Sequence, residues 1–133
     1  MDLTQLTEAQ FLCDGARDGD LDNPLAFSLL EMALENLPLA PVRTLNADYE
    51  LHVVVGQPGD TVMLHKGEVV GGYLGESLAL RDDHQRIGLS TALILAAVPY
   101  RPAPIKRTVS NLGEAALRKA WRVANGKAPN PWP

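Results

Sequence analysis

The sequence predicts an α+β fold, in which a mixed, mostly antiparallel central sheet is flanked by helices. Apolar residues with helical spacing occupy two N-terminal segments, 3–16 and 24–37. β-Branched and aromatic residues dominate residues 49–80, where Gly and Pro separate short runs. Helical spacing returns at 88–98 and 112–125. Helices therefore precede and follow one continuous block of strands.

The size and composition indicate one domain. The chain has 133 residues, is 46% hydrophobic and 21% charged, and can bury a core without disulfides. Its single cysteine, Cys13, has no partner within the chain, and the N-terminal residues lack the pattern of a signal peptide. No run approaches the roughly 20 apolar residues of a membrane span. We expect a cytoplasmic protein without a membrane segment, with helices at 1–37 and the sheet and later helices at 48–125.

The two N-terminal helices are separated by a turn-rich break. Thr4 or Thr7 can cap the first helix, and Pro24 stands at the first position of the second, where a missing N–H is tolerated. The second helix is apolar on a wide face, so we predict that it is well buried. The acidic residues of 14–24 do not keep the register of a calcium loop, so no metal site is predicted.

The strand block predicts antiparallel hairpins. Residues 49–55 form the first strand, 57–60 a turn and 61–65 the second strand. The chain turns again at Lys66-Gly67, and residues 68–80 are long enough for two strands or one long bent strand. Three glycines in this segment predict bulges or close backbone approach: Gly71, Gly72 and Gly75.

The C-terminal third alternates proline-rich and helical segments. After the helix at 88–98, prolines mark an extended connector, and residues 105–109 are long enough for a short strand. Ser110 or Asn111 can cap the last helix, which Gly126 ends. The tail at 128–133 contains too many prolines for regular structure.

The most informative segment runs from Leu78 to Ala97, as a strand, a glycine-containing loop and the first turn of a helix. Such a junction directs several backbone N–H groups at one point, where the helix dipole adds positive potential. Gly88 allows close approach of a ligand because it has no Cβ, and Arg86 can bind phosphate oxygens. The loop therefore suits a pyrophosphate, although an ordinary capped turn needs no ligand.

The loop Gln85-Arg-Ile-Gly-Leu-Ser90 resembles the Gln/Arg-x-x-Gly-x-Gly/Ala motif of the GNAT superfamily of N-acetyltransferases, with Ser at the last position. The turn at Lys66–Gly71 and the segment Arg107–Ala116 are similar to other parts of that fold. The resemblance covers about residues 48–125. It implies a GNAT-like fold in which this loop holds the pyrophosphate of acetyl-coenzyme A.

The resemblance also implies an activity and its residues: transfer of an acetyl group to an amine of a small molecule or a protein. Glu76 is the expected base, and His84 is a further candidate for proton transfer. The last helix has Trp121 and no tyrosine that would serve as the acid. The residues implied in binding acetyl-coenzyme A are Leu78, Leu80, Gln85, Arg86, Ile87, Gly88, Leu89, Ser90, Thr91 and Asn111.

The charge distribution leaves other functions open. Residues 1–100 hold 5 basic and 15 acidic side chains, whereas residues 101–133 hold 7 and 1. The basic segment can form an anion site, pair within or between subunits, or face solvent. The alternative function is a non-catalytic GNAT-like interaction protein that uses this segment. Nucleic-acid binding is disfavoured by the acidic remainder, and an open sheet edge predicts a homodimer.

Overall fold

The computed structural model describes residues 3–12, 26–75, 77–101 and 111–133. The described residues form one five-stranded sheet with helices on both faces. The α-helices are α1 (Glu8–Leu12), α2 (Ala26–Leu34), α3 (Leu89–Ala97) and α4 (Asn111–Ala124). Short 3₁₀ helices span Leu3–Gln5, Asp82–His84 and Val98–Tyr100.

The sheet is a simple meander in which each strand pairs with the next one along the chain. The strands are β1 (Leu39–Thr44), β2 (Tyr49–Val54), β3 (Gln57–His65), β4 (Glu68–Leu74) and β5 (Ser77–Leu80). All four pairings are antiparallel. The predicted α+β class with helices flanking a sheet is confirmed, and the sheet of the described residues is antiparallel throughout.

Two-residue turns set the register of the central hairpins. Lys66 and Gly67 both have positive φ, 50° and 84°, which is the geometry of a hairpin turn that matches strand twist. The turn predicted there is confirmed. The turn predicted at 57–60 is wrong: the chain turns at Val55-Gly56, and Gln57 already belongs to β3. Gly56, with φ 82°, supplies the left-handed conformation, and a pairing irregularity beside it accommodates Pro58.

The strand β1 was not predicted from the sequence, because Pro38 and Pro41 suggest a break. Pro41 cannot donate a ladder hydrogen bond, and an edge strand, which has one neighbour, tolerates that loss. The pairing of β1 with β2 shifts between Pro41 and Arg43, so the irregularity coincides with the proline.

The predicted close approach at the β4 glycines is confirmed. A Cβ on Gly71 would lie 2.8 Å from the Ala79 carbonyl oxygen of β5, and one on Gly72 would lie 3.0 Å from Leu30 Cδ1 of α2. Gly75, with φ 56°, turns the chain between β4 and β5, so residues 68–80 form two strands. The backbone of β4 is therefore packed directly against its neighbours.

One face of the sheet carries α2, which differs from the prediction. Leu30 and Leu34 pack on Val54 and Val62, but Met32 is 69% exposed. The expectation of a well-buried helix is therefore wrong, because α2 contacts the sheet through a single stripe. It is also shorter than predicted.

The opposite face carries the main core, built by α1, α3 and α4. Leu93 and Ile94 of α3 are fully buried. The predicted helices at 88–98 and 112–125 are confirmed within one residue at each end, and Gly126, with φ 72°, follows α4. Trp121 is buried, and its Nε1 donates to the Leu6 carbonyl oxygen at 2.9 Å, so α4 is fastened to the N-terminal segment.

The first α-helix begins later than the sequence predicts, at Glu8 instead of residue 3. A 3₁₀ turn precedes α1, and residues 13–16 lie outside the described residues. Thr7 caps α1: its Oγ1 accepts from Gln10 N at 3.1 Å, and Gln10 Oε1 accepts from Thr7 N at 2.9 Å. The break at 14–24 and the predicted strand at 105–109 also fall outside the described residues. In the part of the chain that the structure describes, no helix combines the length and apolarity of a membrane span.

Candidate functional site

The candidate site lies at one end of the sheet, where β2 begins, β3 ends and β5 leads into α3. The 3₁₀ helix Asp82–His84 and the four residues after it make this connection. Residues 85–88 are named the α3 loop here. Arg81 N donates to the Val70 carbonyl oxygen at 2.8 Å and extends the β4–β5 ladder to the start of the connection. The strand-to-helix junction predicted from the sequence is therefore present.

The α3 loop ends in a helix start without a side-chain cap. Gly88 is the N-cap residue in a left-handed conformation, φ 88° and ψ 10°, and no side chain bonds the first turn. The first helical bond runs from Ala92 N to the Gly88 carbonyl oxygen, at 3.4 Å. Within the described residues, no acceptor meets the N–H groups of Leu89, Ser90 and Thr91, which remain able to bind an anion.

Some of the expected ligand-binding side chains point outward and some point inward. Gln85, Arg86 and Ile87 are exposed on the α3 loop. Arg86 has a positive φ of 67°, a conformation that costs a non-glycine residue about 1 kcal/mol or more. The amide of Gln85 turns back and donates to the Leu80 carbonyl oxygen at 3.2 Å. Arg86 is therefore the cation of this loop that faces solvent.

Of the remaining residues expected to bind acetyl-coenzyme A, some offer only backbone N–H groups and some pack on the main core. The side chains of Leu89 and Thr91 are buried, so these residues can offer only their N–H groups. Leu78 and Leu80 are half-buried and pack on the main core. Asn111 begins α4, and its side chain lies outside the described part of the structure.

Tyr49 and His84 form the polar centre of the site. The Tyr49 hydroxyl lies 2.8 Å from His84 Nδ1. Asn46 Oδ1 accepts from Tyr49 N at 3.0 Å and fixes the start of β2, and pairing of Tyr49 with His65 across β2 and β3 places their rings 4.7 Å apart. The His65 and His84 rings are 4.6 Å apart. Three titratable side chains therefore meet at the end of the sheet.

The pKa of His84 is lowered from its ordinary value because the ring is buried, with smaller contributions from the charges of His65 and Arg81; only the charge of Asp83 opposes this shift. His84 is therefore neutral near pH 7. The carboxylate of Asp83, whose Oδ2 is 3.8 Å from Nε2, favours the tautomer with the ring proton on Nε2, and in that tautomer Nδ1 accepts from the Tyr49 hydroxyl. A neutral imidazole that accepts from a hydroxyl can take up a proton through that hydroxyl.

Asp83 is held in place by a two-point ion pair. Arg81 Nε donates to Oδ1 at 2.9 Å, and Arg81 Nη2 donates to Oδ2 at 2.8 Å. The hydrogen bonds from Arg81 lower the pKa of Asp83 to about 2. The carboxylate is therefore ionised at neutral pH and favours a positive charge on His84.

The expected base, Glu76, lies outside the described residues. Its described neighbours are Gly75 and Ser77, at the start of β5, whereas His84 follows the end of that strand. Arg101 donates to the carbonyl oxygens of Gly75 and Tyr73 and stacks on the Tyr73 ring at 3.7 Å. The described residues nearest position 76 therefore belong to the opposite end of β5.

The C-terminal tail covers the α3 loop, a contact that was not predicted from the sequence. Trp132 Nε1 donates to the Gly88 carbonyl oxygen at 3.0 Å, and a Cβ on Gly88 would lie 2.6 Å from Pro131 Cγ. Arg43 Nη2 donates to the backbone oxygens of Trp132 and Pro133, at 2.7 Å and 2.8 Å. Residues Asn130–Pro133 are named the strap here. A tryptophan placed between two prolines was the available signal for a packed tail.

The basic face of α4 is largely occupied by intramolecular pairs. Arg118 pairs with Glu8 and, at 2.7 Å, with Glu114, and Arg122 lies 3.4 Å from Glu8. Lys127 stacks on the Trp121 ring at 5.1 Å. Pairing within the chain, one of the three expectations for this segment, is confirmed for Arg118 and Arg122. Across the described ranges, no group of three or more His, Cys, Asp or Glu side chains could hold a metal ion.

Comparison with known proteins adds no relative: no family model, curated protein or solved structure matches the chain. The resemblance to N-acetyltransferases therefore depends on the α3 loop and on the order of elements around it.

Proposed function

We propose that the chain binds an acyl-coenzyme A at the α3 loop and transfers the acyl group to an amine, as a GNAT-like N-acetyltransferase. One observation carries the proposal. The N–H groups of the first turn of α3 lie at the same end of the sheet as the Tyr49–His84 pair. A helix start that can bind phosphate and a neutral imidazole that can take up a proton are two features that suit acyl transfer from a coenzyme A thioester to an amine.

The residues present fit a pyrophosphate. The N–H groups of Leu89, Ser90 and Thr91 have no acceptor among the described residues, and Arg86 is exposed beside them. The dipole of α3 adds positive potential at the same point. The acyl thioester supplies the activated acyl group when bound. Since Pro131 and Trp132 lie on Gly88, the strap has to move before phosphate oxygens reach its backbone.

Proton transfer is assigned to Tyr49 and His84. An amine is protonated at neutral pH, so a base has to remove its proton before attack on the thioester. In this proposal, the Tyr49 hydroxyl oxygen takes the proton while the hydroxyl passes its own to His84 Nδ1. Asp83 is ionised because Arg81 lowers its pKa, and its negative charge favours the resulting imidazolium. The same path returns this proton to the departing thiolate, and the second proton, which the nitrogen loses as the amide forms, passes to solvent. The role expected for Glu76 stays a prediction.

Calorimetric titration with acetyl-coenzyme A tests the binding step. We expect micromolar affinity in the wild-type protein and loss of at least tenfold in Gly88→Asp, because a carboxylate at the N-cap repels phosphate. Gly88→Asn is the control for the charge, because its side chain has the same shape and its Cβ would meet Pro131 in the same way. Gly56→Asp is the control for the left-handed backbone, because Gly56 has nearly the same φ, 82° against 88°, and lies at the other end of β2. The absence of both binding heat and a shift in melting temperature at millimolar acetyl-coenzyme A would refute the proposal.

A second candidate is the non-catalytic interaction protein, favoured by the position of the strap on Gly88. In that function the strap is permanent and the C-terminal segment contacts another protein. A transfer assay with acetyl-coenzyme A and a set of amines separates the two candidates. Turnover that Tyr49→Phe slows at least tenfold, with unchanged melting temperature, supports the enzyme, whereas an absence of turnover with every amine supports the interaction protein.

A further inference from the structure

We propose that the strap, Asn130–Pro133, is a reversible lid that Arg43 holds closed over the α3 loop. The identity of the ligand that the lid excludes rests on the proposed function, but the lid itself is inferred from contacts. Opening of the strap would expose Gly88 and withdraw Trp132 from the edge of the main core, and closure would block the site.

The strap covers both halves of the site. Trp132 Nε1 bonds the carbonyl oxygen of Gly88, the N-cap residue of α3, and Pro131 lies against the Cα of the same residue. The Trp132 ring is also 6.4 Å from the ring of Tyr49, the partner of His84. A single side chain therefore lies between the anion-binding helix start and the proton-transfer pair.

Few bonds hold the strap to the rest of the protein. Proline has no N–H, so Pro129, Pro131 and Pro133 cannot donate to any neighbour. Trp132 N donates within the strap, to Asn130 Oδ1 at 2.9 Å. The bonds that link the strap to other elements are those from Trp132 Nε1 and from Arg43 Nη2, among the described residues. Removal of the Arg43 guanidinium therefore removes two of these three hydrogen bonds and leaves the packing of Trp132 against the main core.

The position of these links favours reversible release. Arg43 lies on β1, the edge strand, and its side chain is exposed, as are Pro131 and Pro133. Solvent-exposed hydrogen bonds to a peptide oxygen exchange readily with water and contribute little net stability. The prolines also restrict the open chain, so that closing again orders few additional torsions. These features describe a segment that can leave and return while the core stays folded.

Hydrogen exchange tests the lid without any ligand. In Arg43→Ala, we expect the indole Nε1–H of Trp132, which donates to the Gly88 carbonyl oxygen, to exchange about tenfold faster, which corresponds to the loss of about two exposed hydrogen bonds. Arg122→Ala is the control, because it removes the same charge from an exposed position on α4. In a Trp121→Phe background, acrylamide should also quench Trp132 more strongly in Arg43→Ala. Unchanged exchange and unchanged quenching would overturn the proposal.

A titration then separates the lid from the proposed function. A closed strap reduces apparent affinity by the fraction of open molecules, so Arg43→Ala should bind acetyl-coenzyme A up to about tenfold more tightly than wild type. Equal affinity in the two proteins would contradict the lid. If neither binds at millimolar concentration, the proposed function fails, and the exchange of the Trp132 indole Nε1–H and the quenching of Trp132 decide the lid.

Discussion

His84 shows how a single residue acquires its properties from distant neighbours. The sequence identifies it as a candidate for proton transfer beside the loop. Its burial and its bond to Tyr49, 35 residues earlier, arise from the register of β2, β3 and β5. Side-chain alternation predicts which residues share a face, but not which strand end meets which loop. The glycine of the α3 loop was predictable because its requirement is local, whereas the pairing of Tyr49 with His84 was not.

The lowered pKa of His84 predicts a loss of stability in mild acid. The unfolded chain takes up the proton near the ordinary value of about 6.5, whereas burial delays protonation of the folded protein. The contribution of the neutral His84 ring to the free energy of unfolding is therefore fully present above pH 6.5, and it is lost as the pH falls from 6.5 towards the pKa of His84 in the folded protein. Between pH 7.5 and pH 5.5, the free energy of unfolding measured in urea should fall less in His84→Gln than in wild type. Equal changes would contradict this assignment.

Among the elements, the strands show where sequence patterns fail. The second half of β3, the Lys66-Gly67 turn and β4 were predicted, because alternation and turn chemistry agree there. The sequence missed β1 and the first residues of β3, where Pro41 and Pro58 usually indicate a break. Both prolines lie beside pairing irregularities, which depend on the neighbouring strand. A pattern read along one strand contains no information about its partner.

The close contact of β4 with β5 predicts that an added side-chain atom at Gly71 destabilises the protein. Gly71→Ala should lower the free energy of unfolding by about 1–3 kcal/mol, because its Cβ would overpack against the Ala79 carbonyl oxygen and the Leu80 side chain. Gly59→Ala is the matched control, since its nearest atoms are 3.6 Å away. Chemical denaturation measures both variants. A Gly71 variant as stable as the Gly59 variant would contradict the close packing.

At the scale of the whole molecule, the sheet separates two apolar clusters of unequal size. The larger cluster, under α3 and α4, includes Leu93, which is fully buried. Leu93→Ala should destabilise the protein by about 2–5 kcal/mol, whereas Met32→Ala, at a 69% exposed position on the other face, should cost less than about 1 kcal/mol. Thermal unfolding compares them. Similar losses in both variants would contradict the assignment of the main core.

The charge asymmetry of the chain is partly resolved within the molecule. Glu8 of α1 lies between Arg118 and Arg122 of α4, so the acidic N-terminal and basic C-terminal segments contact each other. The predicted homodimer remains a prediction, as does the non-catalytic function of the basic segment. The edge strand β1 carries Pro41 and the strap contact of Arg43, both of which oppose pairing with another strand along its whole length. Sedimentation at high micromolar concentration measures the oligomeric state.

We propose that the α3 loop binds the pyrophosphate of an acyl-coenzyme A once the strap has opened. The most direct measurement is calorimetric titration of acetyl-coenzyme A into Arg43→Ala beside the double variant Arg43→Ala/Gly88→Asp, with circular dichroism to verify folding. The account predicts micromolar binding by the first protein and at least tenfold weaker binding by the second. A folded Arg43→Ala protein that gives no heat at millimolar acetyl-coenzyme A would contradict it.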